Sequence, residues 1–205
     1  MPKVAYSEEE RKQIRDDLIR VSLELMAKQG IQHTTVEQIY KKVGISRTFF
    51  YSFFQTKEDL VIEALYFQQP KIIAYVQQLM ADPALTWHEG VRQFIYSCCN
   101  GAKSGFAVLS VDEQQILFQR LSKESYEVFR KKQSVLFGKI LESFGIDARK
   151  EHVDLFINLC LTVIIIHRSV PERLPFFVPE AAEKTTEFQI NAVIDYLEKL
   201  KESSL

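Results

Sequence analysis

Two short, capped helices separated by only three residues constrain the fold of this chain more than any other feature of its sequence. Gly44-Ile45-Ser46 separates them, with Gly44 where a left-handed residue ends a helix and Ser46 where a hydroxyl caps the next one. Two alternative capping boxes open the first helix: Thr34 with Glu37, or Thr35 with Gln38. So short a turn holds the two helices at a large angle, which predicts a helix-turn-helix within residues 34–57.

The rest of the chain also follows helical periodicity, and no segment alternates apolar and polar residues as a strand does. Ser7 with Glu10 and Thr56 with Asp59 form further capping boxes. Predicted helices outside the helix-turn-helix span residues 8–29, 57–80 with a bend at Pro70, 85–100, 111–121, 123–144, 149–169 and 180–201. A long irregular connection contains Pro171, Pro175 and Pro179. This pattern predicts an all-α fold with a three-helix helix-turn-helix domain at 1–56 and a larger helical domain at 57–205, in which 57–80 is a connecting helix.

Charge and composition limit the classes of partner and location. The 205 residues are 46% hydrophobic and carry a net charge of −1, so the molecule is not a polycation. Residues 1–60 hold ten Lys and Arg against nine Asp and Glu. Any contact with nucleic acid must therefore come from a local basic surface. Three cysteines, no apolar leader and no apolar run of about 20 residues predict a cytoplasmic protein that does not enter a membrane.

The second helix of the motif divides into an inward and an outward side. Ile45, Phe50 and Phe54 fit the inward positions that hold it against the first helix of the chain. Arg47, Thr48 and Phe49 face outward and are predicted to read base edges. The predicted phosphate contacts are Thr35, Tyr51, Ser52 and Lys57.

These residues resemble the TetR family of bacterial transcriptional regulators. The resemblance rests on 34–39 (TTVEQI), 43–54 (VGISRTFFYSFF) and 57–60 (KEDL), and covers roughly residues 7–62. Beyond them, only length and helical character are similar. The chain departs from the family at Tyr40, where a small residue is usual, at Thr48, where Gly is common, and at Phe49, where Thr or Ala is common. Because Thr48 and Phe49 lie on the reading face, the operator sequence cannot be transferred from a relative.

The resemblance implies that the larger domain serves ligand binding and dimerisation. In this family the last two helices pair with those of a second subunit in a four-helix bundle. The residues that would form this dimer interface are Leu155, Leu159, Thr162, Ile166, Ile190, Val193 and Leu197. The alternative is that both helices lie inside one subunit.

Aromatic residues of the larger domain are candidates for a ligand pocket between helices. They are Tyr66, Tyr75, Trp87, Phe94, Phe118, Tyr126 and Phe129, with His167 at the end of an apolar run. Ordinary core packing explains residues at helical spacing equally well. The adjacent Cys98 and Cys99 have two interpretations: a redox-sensitive or soft-metal site, or two small apolar residues inside a helix.

The sequence therefore predicts a one-component transcriptional regulator, by default a repressor, that binds palindromic operator DNA as a homodimer. An unidentified small-molecule effector would release it. One alternative is a small-molecule binding protein whose DNA domain is not functional, and another is a regulator that responds to oxidants through Cys98 and Cys99. No catalytic constellation, metal-ligand spacing or cofactor motif is present, so an enzyme is not expected.

Overall fold

A computed structural model of the chain describes residues 6–99, 105–109, 111–169 and 178–203, without the side chains of 111, 168, 169 and 179. The described residues form α-helices and one short 3-10 helix, and they contain no strand. The prediction of an all-α fold is confirmed. The predicted connection containing Pro171 and Pro175 lies outside the described residues.

The helices of the described residues follow the predicted order. They are α1 (Glu8–Gln29), α2 (Val36–Val43), α3 (Arg47–Phe50), α4 (Lys57–Phe67), α5 (Gln69–Ala81), α6 (Trp87–Cys99), α7 (Val111–Arg120), α8 (Lys123–Ser143), α9 (Lys150–Ser169) and α10 (Ala182–Glu202). The 3-10 helix Pro179–Ala181 precedes α10. None of these helices combines the length and apolar character that a membrane span requires.

Thr35, and not Thr34, caps α2. Thr35 Oγ1 accepts from the backbone N–H of Gln38 at 3.1 Å, and the Gln38 side chain accepts from the backbone N–H of Thr35 at 2.8 Å. Thr34 is fully buried, and its hydroxyl donates to the carbonyl of Gly30 at 2.8 Å. The two threonines thus join the end of α1 to the start of α2. The predicted boxes at Ser7 and Thr56 are also present.

The predicted connecting helix is two helices. The chain leaves α4 at Phe67, and Gln68 separates it from α5, which begins at Gln69 with Pro70 in its first turn. Proline fits the first turn of a helix, where its missing N–H would have no partner, but it disrupts a helix interior. The bend predicted at Pro70 is therefore a helix boundary.

Two hydrophobic clusters form the interior. The body cluster joins α5, α6, α8, α9 and α10 around Phe94, Phe144 and Phe156. The N-terminal cluster joins α1 to α4 around Leu18, Ile39, Phe50 and Leu60. It also includes four side chains from later in the chain: Ala107, Leu109, Leu117 and Phe129. Residues 105–109, α7 and the first turns of α8 thus contribute side chains to the N-terminal cluster.

Candidate nucleic-acid interface

The turn between α2 and α3 has the predicted geometry. Gly44 has a φ of 81°, in the left-handed region that glycine adopts without strain. Ser46 caps α3 by accepting from the backbone N–H of Phe49 at 3.2 Å. Phe50, fully buried, and Phe54 hold this segment against the N-terminal cluster, as predicted. The opposite side of α3 therefore faces solvent.

Four of the predicted DNA-contacting residues are exposed on that side: Arg47, Thr48, Tyr51 and Ser52. The Arg47 guanidinium carbon lies 5.9 Å from the centre of the Tyr51 ring, and 42% of Tyr51 is exposed. No carboxylate of the described residues lies within ion-pair distance of Arg47. Its N–H donors are thus available to a guanine edge or a phosphate.

Two of the three predicted hydroxyl donors, Thr35 and Ser52, differ in their availability. Thr35 Oγ1 accepts the capping bond with a lone pair, so its proton remains free for a phosphate oxygen. Ser52 Oγ donates its single proton to the carbonyl of Phe49 at 2.7 Å. A phosphate contact by Ser52 as donor would require that this bond be given up.

Phe49 does not project freely from the reading face. Its ring is half-buried and stacks on Tyr6, with the ring centres 4.7 Å apart and the planes inclined by 16°. The ring of Phe53 meets its edge at 5.0 Å. The predicted contact of Phe49 with a thymine methyl would therefore require that Tyr6 be displaced or that the exposed ring edge be used.

Lys57 is also placed differently from the prediction. Its side chain is half-buried, and Nζ donates to the carbonyl of Ile31 at 2.6 Å. Burial lowers the pKa of this ammonium below its ordinary range, and the nearby carboxylates of Glu58 and Glu113 only partly oppose the shift. Lys57 thus joins the start of α4 to the turn after α1, and in this conformation its charge is turned away from solvent.

Two basic residues of α2 are paired within the domain. Lys41 Nζ lies 2.6 Å from the Glu37 carboxylate, and Lys42 Nζ lies 3.1 Å from that of Glu24. The hydrogen bond with Lys41 lowers the pKa of Glu37. Exposed pairs of this kind contribute at most about 1 kcal/mol, so a phosphate can replace the carboxylate.

Polar contacts connect α7 and the preceding loop to the N-terminal helices. The Glu113 carboxylate accepts from the backbone N–H of Gln32 at 2.9 Å, and Arg120 forms an ion pair with Glu58. Between these contacts lies a cleft of about 330 Å³ with Lys57 on its wall. At the other end of α4, the buried Gln68 side chain donates to the carbonyl of Ala107 at 2.8 Å and accepts from its N–H at 2.9 Å. Ala107 and Arg120 therefore hold the two ends of α4.

The aromatic residues predicted to line a pocket are divided between the two clusters. Tyr75, Trp87 and Phe94 pack in or against the body cluster, whereas Tyr66, Phe118 and Phe129 pack in or against the N-terminal cluster. Tyr126 is exposed, and its ring forms an edge-to-face contact with the ring of Phe118. The ring of His167 forms an edge-to-face contact with the ring of Tyr96. None of the predicted pocket residues lines the cleft beside Lys57. The structure does not bring them together in one site.

The residues predicted at a dimer interface divide by helix. On α9, Leu155 and Thr162 are exposed and Leu159 and Ile166 are half-buried, so this face is available to a partner. On α10, the three predicted residues are buried in the chain's own core: Ile190, Val193 and Leu197. For these three the prediction selected the wrong side of the helix. The outward side of α10 instead carries Phe188, which is 72% exposed.

The cysteines lie in the body cluster or pack against it. Although part of Cys98 is exposed, burial raises the pKa of its thiol to about 12. Burial also raises the pKa of Cys160 well above the ordinary thiol range, with the nearby sulfurs of Cys98 and Cys99 adding to the shift. Since the thiolate is the reactive form, these environments disfavour the reactive form of Cys98 and Cys160 near neutral pH. Within the described part of the chain, no group of three or more His, Cys, Asp or Glu is arranged to hold a metal.

Sequence reasoning missed several residues that shape this surface. Tyr6 and Arg11 contact the reading segment from the start of α1, and Gln68 and Glu113 join distant segments. Their partners lie 38 or more residues away in the chain, so no local pattern reveals them. One local signal was present: Arg11 and Arg15 are spaced i, i+4, which places both arginines on the same side of α1.

Comparison with known proteins gives a family for this arrangement. Residues 18–64 match the family model for bacterial regulatory proteins of the tetR family. The HTH-type transcriptional regulator TcmR of Streptomyces glaucescens is 46% identical over 48 residues, which are 23% of this chain and 21% of TcmR. The sequence match thus spans about a fifth of the length of that relative.

Solved structures extend the similarity of the fold beyond the matched segment. A transcriptional regulator of the TetR family from Cytophaga hutchinsonii superposes with a TM-score of 0.59 at 16% identity, covering 96% of this chain and 98% of that one. For the reduced form of E. coli NemR the TM-score is 0.50 at 11% identity, covering 91% and 96%. The fold and the exposed segment on α3 define a helix-turn-helix protein. Residues 18–64 thus resemble the tetR family of bacterial regulatory proteins, and the fold of the described residues is similar to that of a solved member.

Proposed function

We propose that this chain is a one-component transcriptional regulator that binds operator DNA through α3 and the turns around it. The observation that carries the proposal is the exposed, unpaired Arg47 beside Tyr51 on a short helix held at both ends by caps and by Phe50. This segment lies within the residues that match the family. In this proposal Arg47 and Thr48 read base edges, whereas Thr35 and Tyr51 contact phosphates.

A homodimer is part of the proposal, because two reading helices are needed to bind the two halves of a palindromic site. The supporting surface lies on adjoining helices. Leu155 on α9 is 43% exposed, and Phe188 on α10 is more exposed still. Exposed apolar groups on packed helices favour burial against a second copy. Leu159, Thr162 and Ile166 of the predicted interface lie along α9 on the available face.

A small-molecule effector would act by binding two arrangements of the dimer with different affinities. The contacts from 105–120 to α4 provide a route, since any shift of the body that moves Ala107 or Arg120 acts on Gln68 and Glu58. Release of DNA by the effector is the default direction. Burial of Cys98 disfavours its thiolate, which argues against the alternative of an oxidant response.

The experiment that tests the proposal is selection of bound duplexes from a random pool at physiological salt with non-specific competitor DNA. We expect a palindrome to be enriched. Loss of the Arg47 guanidinium in Arg47→Ala should weaken binding by about 1–3 kcal/mol and relax the preference at one position of each half-site.

A folded dimer that enriches no duplex would contradict DNA binding and favour a small-molecule binding protein with a non-functional DNA domain. The oxidant-responsive alternative has its own variant, Cys98→Ser with Cys99→Ser. We expect this variant to keep the wild-type response to peroxide and to effector.

A further inference from the structure

Residues 6–17, the N-terminal extension, lie outside the segment that matches the family model, which begins at Leu18. They form the cap and first turns of α1. This extension packs against the reading segment through aromatic and cationic side chains. Tyr6 covers Phe49, and the Arg15 guanidinium lies 5.3 Å from the centre of the Phe54 ring.

Arg11 occupies the centre of this contact. Its guanidinium carbon lies 4.8 Å from the centre of the Phe53 ring and 5.5 Å from that of Phe49. A guanidinium over an aromatic face keeps its N–H donors at the edge, where they remain open to an anion. The two rings also restrict the side chain, so less conformational entropy is lost when it forms a hydrogen bond.

The charge of Arg11 is unsatisfied, in contrast to that of its neighbours. Arg15 forms an ion pair with Glu63 at 3.1 Å, and Arg20 forms ion pairs with Asp17 and Glu24. No described carboxylate lies within ion-pair distance of Arg11. An arginine held beside the reading helix without a counter-ion is therefore available to a phosphate of the DNA.

Exposed acids in the same turn limit the alternatives. Glu8 and Glu9 are exposed, so the extension as a whole does not attract DNA by net charge. Any contribution of Arg11 must therefore come from a direct contact, which makes it separable from a general charge effect by a control on the same helix.

We propose that Arg11 is a further phosphate-contacting residue of the DNA interface, positioned by the rings of Phe49 and Phe53. The proposal rests on the DNA-binding function proposed above. It adds a contact from α1, outside the family-matched segment, beside the rings of Phe49 and Phe53.

The test measures the affinity for the enriched duplex as a function of salt for three variants. Arg11→Met removes the charge but keeps an unbranched side chain over the rings, Arg11→Lys keeps the charge, and Arg20→Met is the matched control. One phosphate contact contributes a slope of about 0.9 in a plot of log affinity against log salt concentration. The ratio of wild-type affinity to Arg11→Met affinity should therefore fall about 3.5-fold between about 50 and about 200 mM salt. Arg11→Lys should keep the wild-type slope, and so should Arg20→Met.

The outcomes separate this inference from the proposed function. If Arg47→Ala weakens binding while Arg11→Met keeps both the wild-type affinity and slope, the inference is wrong and the proposed function stands. An equal loss of slope in Arg11→Met and Arg20→Met would also overturn it, because the effect would then be one of net charge. If no duplex is enriched by the wild-type dimer, the proposed function itself fails. Thermal unfolding of each variant checks that the wild-type fold is kept.

Discussion

The two short helices α2 and α3 and the long helices of the body are held in place in different ways. Helices α2 and α3 have eight and four residues and bury one side chain each, Ile39 and Phe50. In the body, α8 and α10 have 21 residues each and bury five and six residues. A short helix cannot be positioned by burial along its length, so caps and single anchors must do so.

This difference has a functional consequence. Because α3 uses one inward side chain and its cap, Arg47, Thr48 and Tyr51 remain free for a partner. In the body, by contrast, polar groups of aromatic side chains form hydrogen bonds within the chain. Trp87 donates its indole N–H to the carbonyl of Phe144, and Tyr75 shares a hydrogen bond with Ser97. Helices α2 and α3 should therefore depend strongly on a few residues, and α8 and α10 on many.

The largest expected effect is that of removing the anchor of α3. Phe50→Ala deletes a fully buried ring and should lower the free energy of unfolding by about 3–5 kcal/mol, with loss of DNA binding. Val135→Ala, on α8 at a position 59% exposed and outside the proposed dimer surface, is the control and should change the free energy of unfolding little. Urea denaturation followed by circular dichroism measures both. A loss under about 1 kcal/mol in Phe50→Ala would show that α3 has other anchors.

A smaller effect is expected at the connection between the two regions. Gln68→Ala leaves the buried N–H and carbonyl of Ala107 without their partners and should lower the unfolding free energy by about 1–3 kcal/mol. It should also weaken the coupling between effector and DNA if α4 transmits it. Gln77→Ala, at an exposed position of α5, is the matched control. Equal free energies of unfolding in Gln68→Ala and Gln77→Ala would mean that the hydrogen bonds between Gln68 and Ala107 do not stabilise the fold.

The smallest effects distinguish the caps of the two regions. Ser46 caps the four-residue α3 and Ser122 caps the 21-residue α8, with hydrogen bonds of 3.2 and 3.1 Å. Ser46→Ala should cost about 1 kcal/mol and weaken DNA binding. Ser122→Ala should cost less, because fraying of one turn leaves the buried residues of α8 in place, and it should not change DNA affinity. A greater loss of stability in Ser122→Ala would contradict the contrast between the two regions.

Much of the N-terminal architecture was predictable because its determinants are local. The boxes at Ser7 and Thr56, the left-handed Gly44 and the inward Phe50 each follow from residues within four positions. Where two local solutions competed, as at Thr34 and Thr35, only the structure decided, because Thr34 bonds to Gly30 at the end of the preceding helix. The helix order of the body was also predictable from periodicity.

Periodicity by itself determined that Ile190, Val193 and Leu197 form an apolar stripe, but not which surface covers it. That surface is the chain's own core, because α10 packs on α6 and α9. The directions of Phe49 and Lys57 were decided by Tyr6 and by the carbonyl of Ile31, which come from other turns of the fold. The sequence alone thus determined the helices, most of their caps and the family resemblance of residues 18–64. Tertiary structure decided which side chains remain available to DNA or a partner, because availability depends on contacts between residues far apart in the chain.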